Sequence, residues 1–181
     1  ESVFKKRFGK QKAKVITSFS MFYDLEDPCE FAKQVKECLS PDGIWVLEQS
    51  YMPEMIRVNS FDTVCHEHLS YYGMRQLKYI MDKAGFNIVD FEFNDVNGGS
   101  ISVVVSPSKP ECTTKLTALL SLELEEGLDT VKPWEEFASR MTDNNHKFLK
   151  MVRDLRDEGY KVAGLGASTK GNVTLQTWGI T

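Results

Sequence analysis

Cysteine, histidine and proline are scarce in this chain, and long apolar runs are missing. The 181 residues include 4 cysteines, 3 histidines and 6 prolines. No two cysteines form a Cys-x-x-Cys pair, which excludes zinc-ribbon and dithiol redox motifs and indicates the reduced thiols of a cytoplasmic protein. The apolar stretches are far too short to span a membrane.

Charge of one sign is not concentrated anywhere. The net charge is −4, spread along the sequence, and no basic stripe indicates a nucleic-acid partner. The first residues, ESVFKKRFGKQKAK, are charged and do not resemble a secretory leader. The hydrophobic fraction of 41% is enough for a buried core, so we expect one domain, or one domain and part of another.

The first half of the chain predicts a βαβ unit. A buried strand over 14–22 leads into a helix over 27–39, with Asp27 as its N-cap and a proline at its first position. SPDG at 40–43 predicts a tight turn, and the apolar run over 43–50 a second strand. Strand, helix and strand in this order favour a parallel sheet.

The rest of the chain predicts an antiparallel sheet end, then helices. The sheet end consists of two strands around an Asn-Gly turn, after one amphipathic helix. Beyond a linker come two helices, then a short strand, a glycine-rich turn and a last helix. In chain order these are the helix over 74–86, the strands over 86–96 and 100–106, the linker at 106–111, the helices over 112–128 and 133–160, and the strand–turn–helix at 161–176. The acidic run LELEEGLD predicts a solvated helix face.

The segment FDTVCHEHLSYY, residues 61–72, concentrates titratable side chains. In an extended segment His66 and His68 point the same way and Glu67 the opposite way. Three interpretations stay open: acid–base chemistry by one histidine with the glutamate orienting it, a metal site, or a hydrogen-bonded loop without chemistry. A metal site needs a third ligand, and the third histidine lies on a distant helix.

A second glycine-rich stretch, GLGASTKGN at 164–172, predicts a strand-to-helix turn. Backbone N–H groups and the helix dipole at such a turn can hold a phosphate, with Lys170 reaching the ligand. The spacing matches neither a P-loop nor the full GxGxxG pattern, so a tight turn without a ligand is the alternative.

Three pieces are expected to meet at one edge of the sheet. The loop at 18–24 and the segment at 49–53 follow the two predicted parallel strands, and the histidine segment follows closely. Open α/β sheets bind ligands at the carboxyl ends of their strands, so we expect convergence there.

Five blocks in order, FYDLEDP, PDGIWVLEQSYMP, NSFDTVCHEHLSYYG, FNDVNGGSISV and GASTKGN, resemble the sugar C-methyltransferases over nearly the whole chain. These S-adenosylmethionine-dependent enzymes methylate a carbon of a nucleotide-linked keto-deoxysugar. The resemblance implies that residues 1–107 are the C-terminal half of a class I (Rossmann-like) methyltransferase domain. Residues 108–181 are then a helical linker and the start of a C-terminal α/β domain that binds the nucleotide-sugar.

The resemblance also implies residue roles. His68 is the general base, and Glu67 is its orienting or polarising partner. Other positions are expected to contact the substrate or form the rim of the cofactor site. The substrate set is His66, Tyr71, Tyr72, Ser168, Lys170 and Asn172, and the rim from the loop at 18–24 is Phe19, Ser20 and Phe22.

The chain also departs from the family. It has Cys65 where tyrosine is frequent, and Asp24 near where many members carry a histidine. Only 14 residues precede VITSF, and they contain neither the glycine-rich cofactor turn nor the cysteine pairs of the family's zinc domain. We therefore expect a truncated chain whose sheet has an open edge at its first strand, with self-association as one consequence.

Three hypotheses for function follow. The first is a methyltransferase that uses His68. The second is a non-catalytic fragment or nucleotide-sugar-binding module that cannot hold the methyl donor. The third is a metal-dependent hydrolase or isomerase that uses His66 and His68.

Overall fold

A four-stranded sheet forms the centre of the computed structural model, which describes residues 1–166 and 168–180. The strands lie in the order β1-β2-β4-β3, with β1 parallel to β2 and the other neighbours antiparallel. Their bounds are β1 Ala13–Phe19, β2 Leu39–Ser50, β3 Asn87–Asn94 and β4 Ser100–Ser106. This arrangement confirms the α/β class and the antiparallel hairpin at the end of the sheet.

Seven α-helices are described around and beyond the sheet. They are α1 Ser2–Phe8, α2 Pro28–Cys38, α3 Met52–Val58, α4 Met74–Ala84, α5 Thr113–Glu125, α6 Lys132–Asp157 and α7 Thr169–Trp178. Four of them, α2, α4, α5 and α6, confirm the helical spacing of the sequence, whereas α1 and α3 were not predicted. Short 3-10 turns lie at Phe22–Asp24, Phe61–Thr63 and Val96–Gly98.

Local sequence signals set several element ends. The Asp27 side chain accepts a hydrogen bond from the Glu30 N–H at 2.8 Å, which confirms it as the N-cap of α2. Gly85 ends α4 in the left-handed conformation, and Asn97 adopts a positive φ in the β3–β4 connection. These positions favour residues that tolerate positive φ angles.

Trp45 lies at the centre of the main core. Its side chain is fully buried and contacts Phe22, Phe31 and Phe86, with ring centroids 5.7 to 6.0 Å apart. The indole N–H donates to the Ser18 hydroxyl at 2.9 Å, so the one polar atom of the ring is satisfied. This core joins β1, β2, α2 and α4 into one unit.

The prediction of a turn at 40–43 is wrong. Residues 39–43 belong to β2, whose Leu39 pairs with Ala13 before a register shift. The Gly43 carbonyl accepts a hydrogen bond from the Ser106 hydroxyl at 2.8 Å. Residues 40–43 themselves have no partner in the ladder of the described strands, because pairing passes from Leu39 and Ala13 directly to Ile44 and Val15. The predicted turn is therefore replaced by a register shift inside one strand.

The predicted strand before the glycine-rich turn is also absent. Residues 160–166, all within the described part, are exposed and carry no strand. A strand is stable only when a neighbour pairs with its backbone, and none of the described strands lies beside this segment. The helix of the predicted strand–turn–helix is present as α7.

The first strand leaves one edge of the sheet open. β1 pairs only with β2 among the described strands, and the side chains of Val15 and Phe19 are 57% and 55% exposed. An open apolar edge is the feature from which self-association was predicted, and that prediction stays untested. No described helix is long and apolar enough to cross a membrane.

Candidate functional site

The three pieces predicted to meet at the sheet edge do meet. The carbonyl of Tyr23, in the loop after β1, accepts hydrogen bonds from the N–H groups of Leu69 at 3.0 Å and Ser70 at 3.1 Å. The Met52 N–H, just beyond β2, donates to the Tyr72 carbonyl at 2.9 Å. The predicted convergence is therefore confirmed, because backbone bonds hold the histidine segment against the ends of both parallel strands.

The histidine segment forms turns, so the extended conformation considered from the sequence is wrong. A 3-10 turn at Phe61–Thr63 is followed by a second turn, in which the His68 N–H donates to the Cys65 carbonyl at 3.2 Å. His66 lies at the tip of that turn with 83% of its side chain exposed, whereas His68 is half-buried. The turn thus separates the environments of the two imidazoles, which removes the geometric basis for one shared site.

His68 packs against the loop after β1. Its ring centroid lies 4.3 Å from that of Tyr23, and both rings line a narrow cleft with Thr63 and Tyr71. The cleft holds about 10 Å³, which is about the volume that one water molecule needs. Burial raises the pKa of both Tyr23 and Tyr71, so their hydroxyls are neutral near pH 7.

Glu67 contacts the other histidine of its segment. Its side chain is 55% exposed, and its Oε1 lies 4.0 Å from the Nε2 of His66. A carboxylate at this distance attracts the imidazole mainly when the ring is protonated. As placed, the carboxylate of Glu67 is an electrostatic partner of His66, and its expected pairing with His68 is not seen.

A second and larger cleft lies between the histidine segment and α7. It has a volume of about 380 Å³ and brings together side chains that are about a hundred positions apart. One wall is Val64, Cys65 and His66, and the other is Thr169, Asn172, Val173, Gln176 and Thr177. Two of the predicted substrate contacts, His66 and Asn172, therefore face the same space.

The other candidates of the glycine-rich turn lie at the start of α7. The Ser168 hydroxyl is the N-cap and accepts a hydrogen bond from the Gly171 N–H at 3.2 Å. Lys170 follows in the first turn of α7 and is partly exposed. Ala167, which belongs to the same motif, lies outside the described residues.

The remaining candidates divide between surface and core. Phe19 is 55% exposed at the end of β1, and Ser20 follows with a positive φ of 52°. Phe22 and Tyr72 are buried, with 1% and 6% exposure, and their rings lie 5.6 Å apart. The Phe22 side chain is thus enclosed by the core, and it presents no surface to a ligand.

Several lining residues were not singled out from the sequence. Tyr23 was part of the predicted loop, but nothing local indicates that its ring covers His68. Thr169 and Gln176 were within reach of sequence reasoning, because their spacing from the predicted Asn172 places all three on one face of a helix. Which part of the protein that face meets depends on how α7 packs, and the sequence does not predict this packing.

Aromatic packing holds α7 against the histidine segment. The Trp178 ring lies 5.3 Å from Phe61 and 4.8 Å from Phe148 of α6, measured between centroids. These contacts connect the last helix to the 3-10 turn that precedes the histidines. These aromatic contacts therefore hold the two walls of the second cleft, the histidine segment and α7, next to each other.

Both parts of the chain match families of known proteins. Residues 2–90 match the family described as a methyltransferase domain, and residues 95–181 match the family described as the C-methyltransferase C-terminal domain. The chain is 32% identical over 170 residues to the C-methyltransferase NovU of Streptomyces niveus. That match covers 93% of this chain and 40% of NovU, so the chain spans less than half the length of this relative.

Solved structures align with part of this chain. A chain from the complex between the Haloferax volcanii Trm112 methyltransferase activator and a methyltransferase matches with a TM-score of 0.47 and 12% identity, over 56% of this chain and 57% of that one. The methyltransferase CalO6 matches with a TM-score of 0.44 and 18% identity, over 53% of this chain and 36% of that one.

Proposed function

This chain belongs to the C-methyltransferase family, and from that membership we propose an S-adenosylmethionine-dependent enzyme that methylates a carbon of a nucleotide-linked keto-deoxysugar. NovU, which is similar over most of the chain, is itself a C-methyltransferase. The sugar acceptor is inferred from the sequence blocks that resemble the sugar C-methyltransferases. Both the methyl donor and the acceptor belong to the proposal.

One observation carries the proposal: two motifs far apart in sequence line one cleft. The histidine segment contributes Cys65 and His66, and α7 contributes Thr169 and Asn172. The volume of about 380 Å³ is in the range of small-molecule sites. Hydroxyl, amide and imidazole groups can hydrogen-bond a sugar, and the N-terminus of α7 is suited to a phosphate.

The proposed chemistry begins with an acidic carbon beside the sugar ketone. A base removes the proton from this carbon, and the electron pair is delocalised onto the ketone oxygen as an enolate. When bound, S-adenosylmethionine supplies an electrophilic methyl group: the carbanion forms the new C–C bond, the C–S bond breaks, and its electrons stay on sulfur. The proton leaves with the base and passes to solvent.

His68 is the proposed base. Its ring is half-buried against Tyr23, which limits its rotation, and its backbone N–H bonds to Cys65 within the turn. An imidazole moves protons readily near neutral pH. Glu67 and Tyr71 complete the proposed site, the first as a charge beside His66 and the second as a neutral side chain in the cleft that His68 lines.

The fit of the methyl donor to the described residues is partial. Phe19 and Ser20 are exposed at the carboxyl end of β1 and can contact it, whereas the buried Phe22 cannot. We therefore propose the loop after β1 as one rim of the donor site and derive no further contact to the donor.

The enzyme is expected to transfer a methyl group to a nucleoside-diphosphate keto-deoxysugar, detected by mass spectrometry of the product. Calorimetry with S-adenosylhomocysteine is expected to show micromolar binding. Nucleotide-sugar binding without any binding of S-adenosylhomocysteine, and without product, would instead support the non-catalytic module.

Asn172→Ala is expected to raise the Kd for the nucleotide-sugar about tenfold, the effect of about one lost hydrogen bond. The Kd for S-adenosylhomocysteine should not change, because Asn172 lies on α7 and not at the loop after β1. Asn144→Ala, at an exposed position of α6, is the matched control. Equal Kd values for the two variants would remove Asn172 from the substrate site.

A further inference from the structure

Glu123 is a buried carboxylate that the proposed mechanism does not use. It lies on α5 within the acidic run predicted to be solvated, yet it is only 6% exposed, so that prediction is wrong for this residue. Its neighbours Glu125 and Glu126 are exposed, as predicted. A buried carboxylate is costly unless hydrogen bonds compensate for the lost water.

Three donors from distant parts of the chain converge on Glu123. Its Oε1 accepts from the Tyr51 hydroxyl at 2.6 Å and from the Met74 N–H at 2.5 Å, and its Oε2 accepts from the Arg75 N–H at 3.1 Å. The two N–H groups belong to the first turn of α4, where the helix dipole also favours a negative charge. Burial and the bond to Glu123 both raise the pKa of Tyr51, so its hydroxyl remains a donor.

Gly73 allows the carboxylate to come this close. A Cβ at position 73 would lie 3.0 Å from the Oε1 and 3.1 Å from the Oε2 of Glu123. Gly73 is the last residue of the block NSFDTVCHEHLSYYG, directly after the two tyrosines. The close approach therefore gives this glycine a physical role at the end of the histidine segment.

The hydrogen bonds of Glu123 lie next to the contact that holds Tyr72 at the end of β2. Tyr51 and Tyr72 form a parallel backbone bridge, and the Met52 N–H donates to the Tyr72 carbonyl. Glu123 binds the Tyr51 side chain on one side of this bridge and the Met74 N–H on the other. The segment from His68 to Tyr72 is thus bonded to the Tyr23 carbonyl and to the Met52 N–H, and Glu123 bonds to the residues that flank the second point, Tyr51 and Met74.

We infer that Glu123 is a positioning residue for methyl transfer. From its place on α5, it holds the histidine segment in position at the edge of the sheet. The inference rests on the proposed function, because the segment it positions carries the proposed base. Glu123 touches neither His68 nor the second cleft. Its effect on the reaction therefore passes through Gly73, Met74 and Tyr72.

Glu123→Gln in the enzyme tests this role. An amide has one acceptor oxygen where the carboxylate has two, so at least one of the three donors loses its partner. We expect kcat to fall about tenfold, with the KM for the methyl donor unchanged. Glu125→Gln makes the same change at an exposed position of the same helix and is expected to keep the wild-type kcat.

A second readout separates positioning from general destabilisation. The chain has 3 histidines, so labelling with ¹³C at the imidazole Cε1 gives few signals, which single His→Ala variants assign. Glu123→Gln is expected to shift or broaden the His68 signal and to leave His146, on α6, unchanged. Wild-type kcat with an unmoved His68 signal, or equal changes at His68 and His146, would overturn the inference.

The NMR readout also keeps the two proposals apart. If the wild-type enzyme methylates no nucleotide-sugar, the proposed function fails, while the His68 signal still decides whether Glu123 positions the segment. If Glu123→Gln does not fold, Tyr51→Phe removes one donor and leaves both backbone bonds to the carboxylate. That variant is expected to shift the His68 signal less, and an unmoved signal would again contradict the inference.

Discussion

His68→Ala is expected to lower the kcat for methyl transfer by about 10²- to 10⁴-fold, the usual contribution of a general base. The side chain is half-buried in a turn at the sheet edge, outside the main core. Its removal should therefore leave the folded structure intact, as checked by circular dichroism and by unchanged binding of S-adenosylhomocysteine. A kcat near the wild-type value would remove His68 from the mechanism.

Proton exchange tests the same role without methyl transfer. With S-adenosylhomocysteine in place of the donor, a working base should exchange the substrate proton beside the ketone for deuterium from D₂O. The wild-type enzyme is expected to catalyse this exchange, and His68→Ala is expected to lose it. His146→Ala, at an exposed position of α6, is the control and should exchange like the wild type.

His66→Ala distinguishes the two imidazoles of the segment. His66 is exposed in the second cleft, where we propose that it contacts the substrate. We expect this variant to raise the KM for the nucleotide-sugar and to keep most of the proton exchange. The opposite result, with exchange lost in His66→Ala and retained in His68→Ala, would move the base to position 66.

Trp45→Ala is expected to lower the free energy of unfolding by about 3–5 kcal/mol, the usual cost of removing a large aromatic side chain from a core. Trp45 is fully buried and contacts three aromatic rings, so its removal leaves a cavity where β2 meets α2 and α4. Urea denaturation followed by far-UV circular dichroism measures the change.

Ser18→Ala separates the indole hydrogen bond from the packing of Trp45. This variant removes the acceptor of the Trp45 N–H and keeps the ring contacts. We expect a loss of about 1–3 kcal/mol from the unsatisfied donor. A loss in Trp45→Ala no larger than in Ser18→Ala would contradict the central place of this ring in the core.

The helices and strands whose signals are local were predictable from sequence. Asp27 and Pro28 mark the start of α2, Gly85 ends α4, and the Asn-Gly pair joins β3 to β4. The turn predicted at 40–43 was wrong because the chain stays within β2 there, where a register shift between Leu39 and Ile44 accommodates the four residues. The strand predicted before the glycine-rich turn was wrong because it has no neighbour among the described strands.

The candidate site was predictable as a place, but its side chains were not. Strands that run parallel end at one edge, so the meeting of the loop after β1 with the histidine segment follows from topology. The turn that directs His66 outward and His68 towards Tyr23 depends on hydrogen bonds within and beyond the segment. The alternation of side chains along an extended strand does not predict these two directions.

Residue spacing alone was sufficient to establish the α/β class, the hairpin at the sheet end and the two chemically unusual motifs. These features are encoded within a few consecutive residues, by apolar periodicity, capping side chains and turn formers. Long-range packing decided that α7 faces His66 across a cleft and that Glu123 is buried under the start of α4. Such contacts join residues many positions apart, so their geometry is set only when the segments fold against one another.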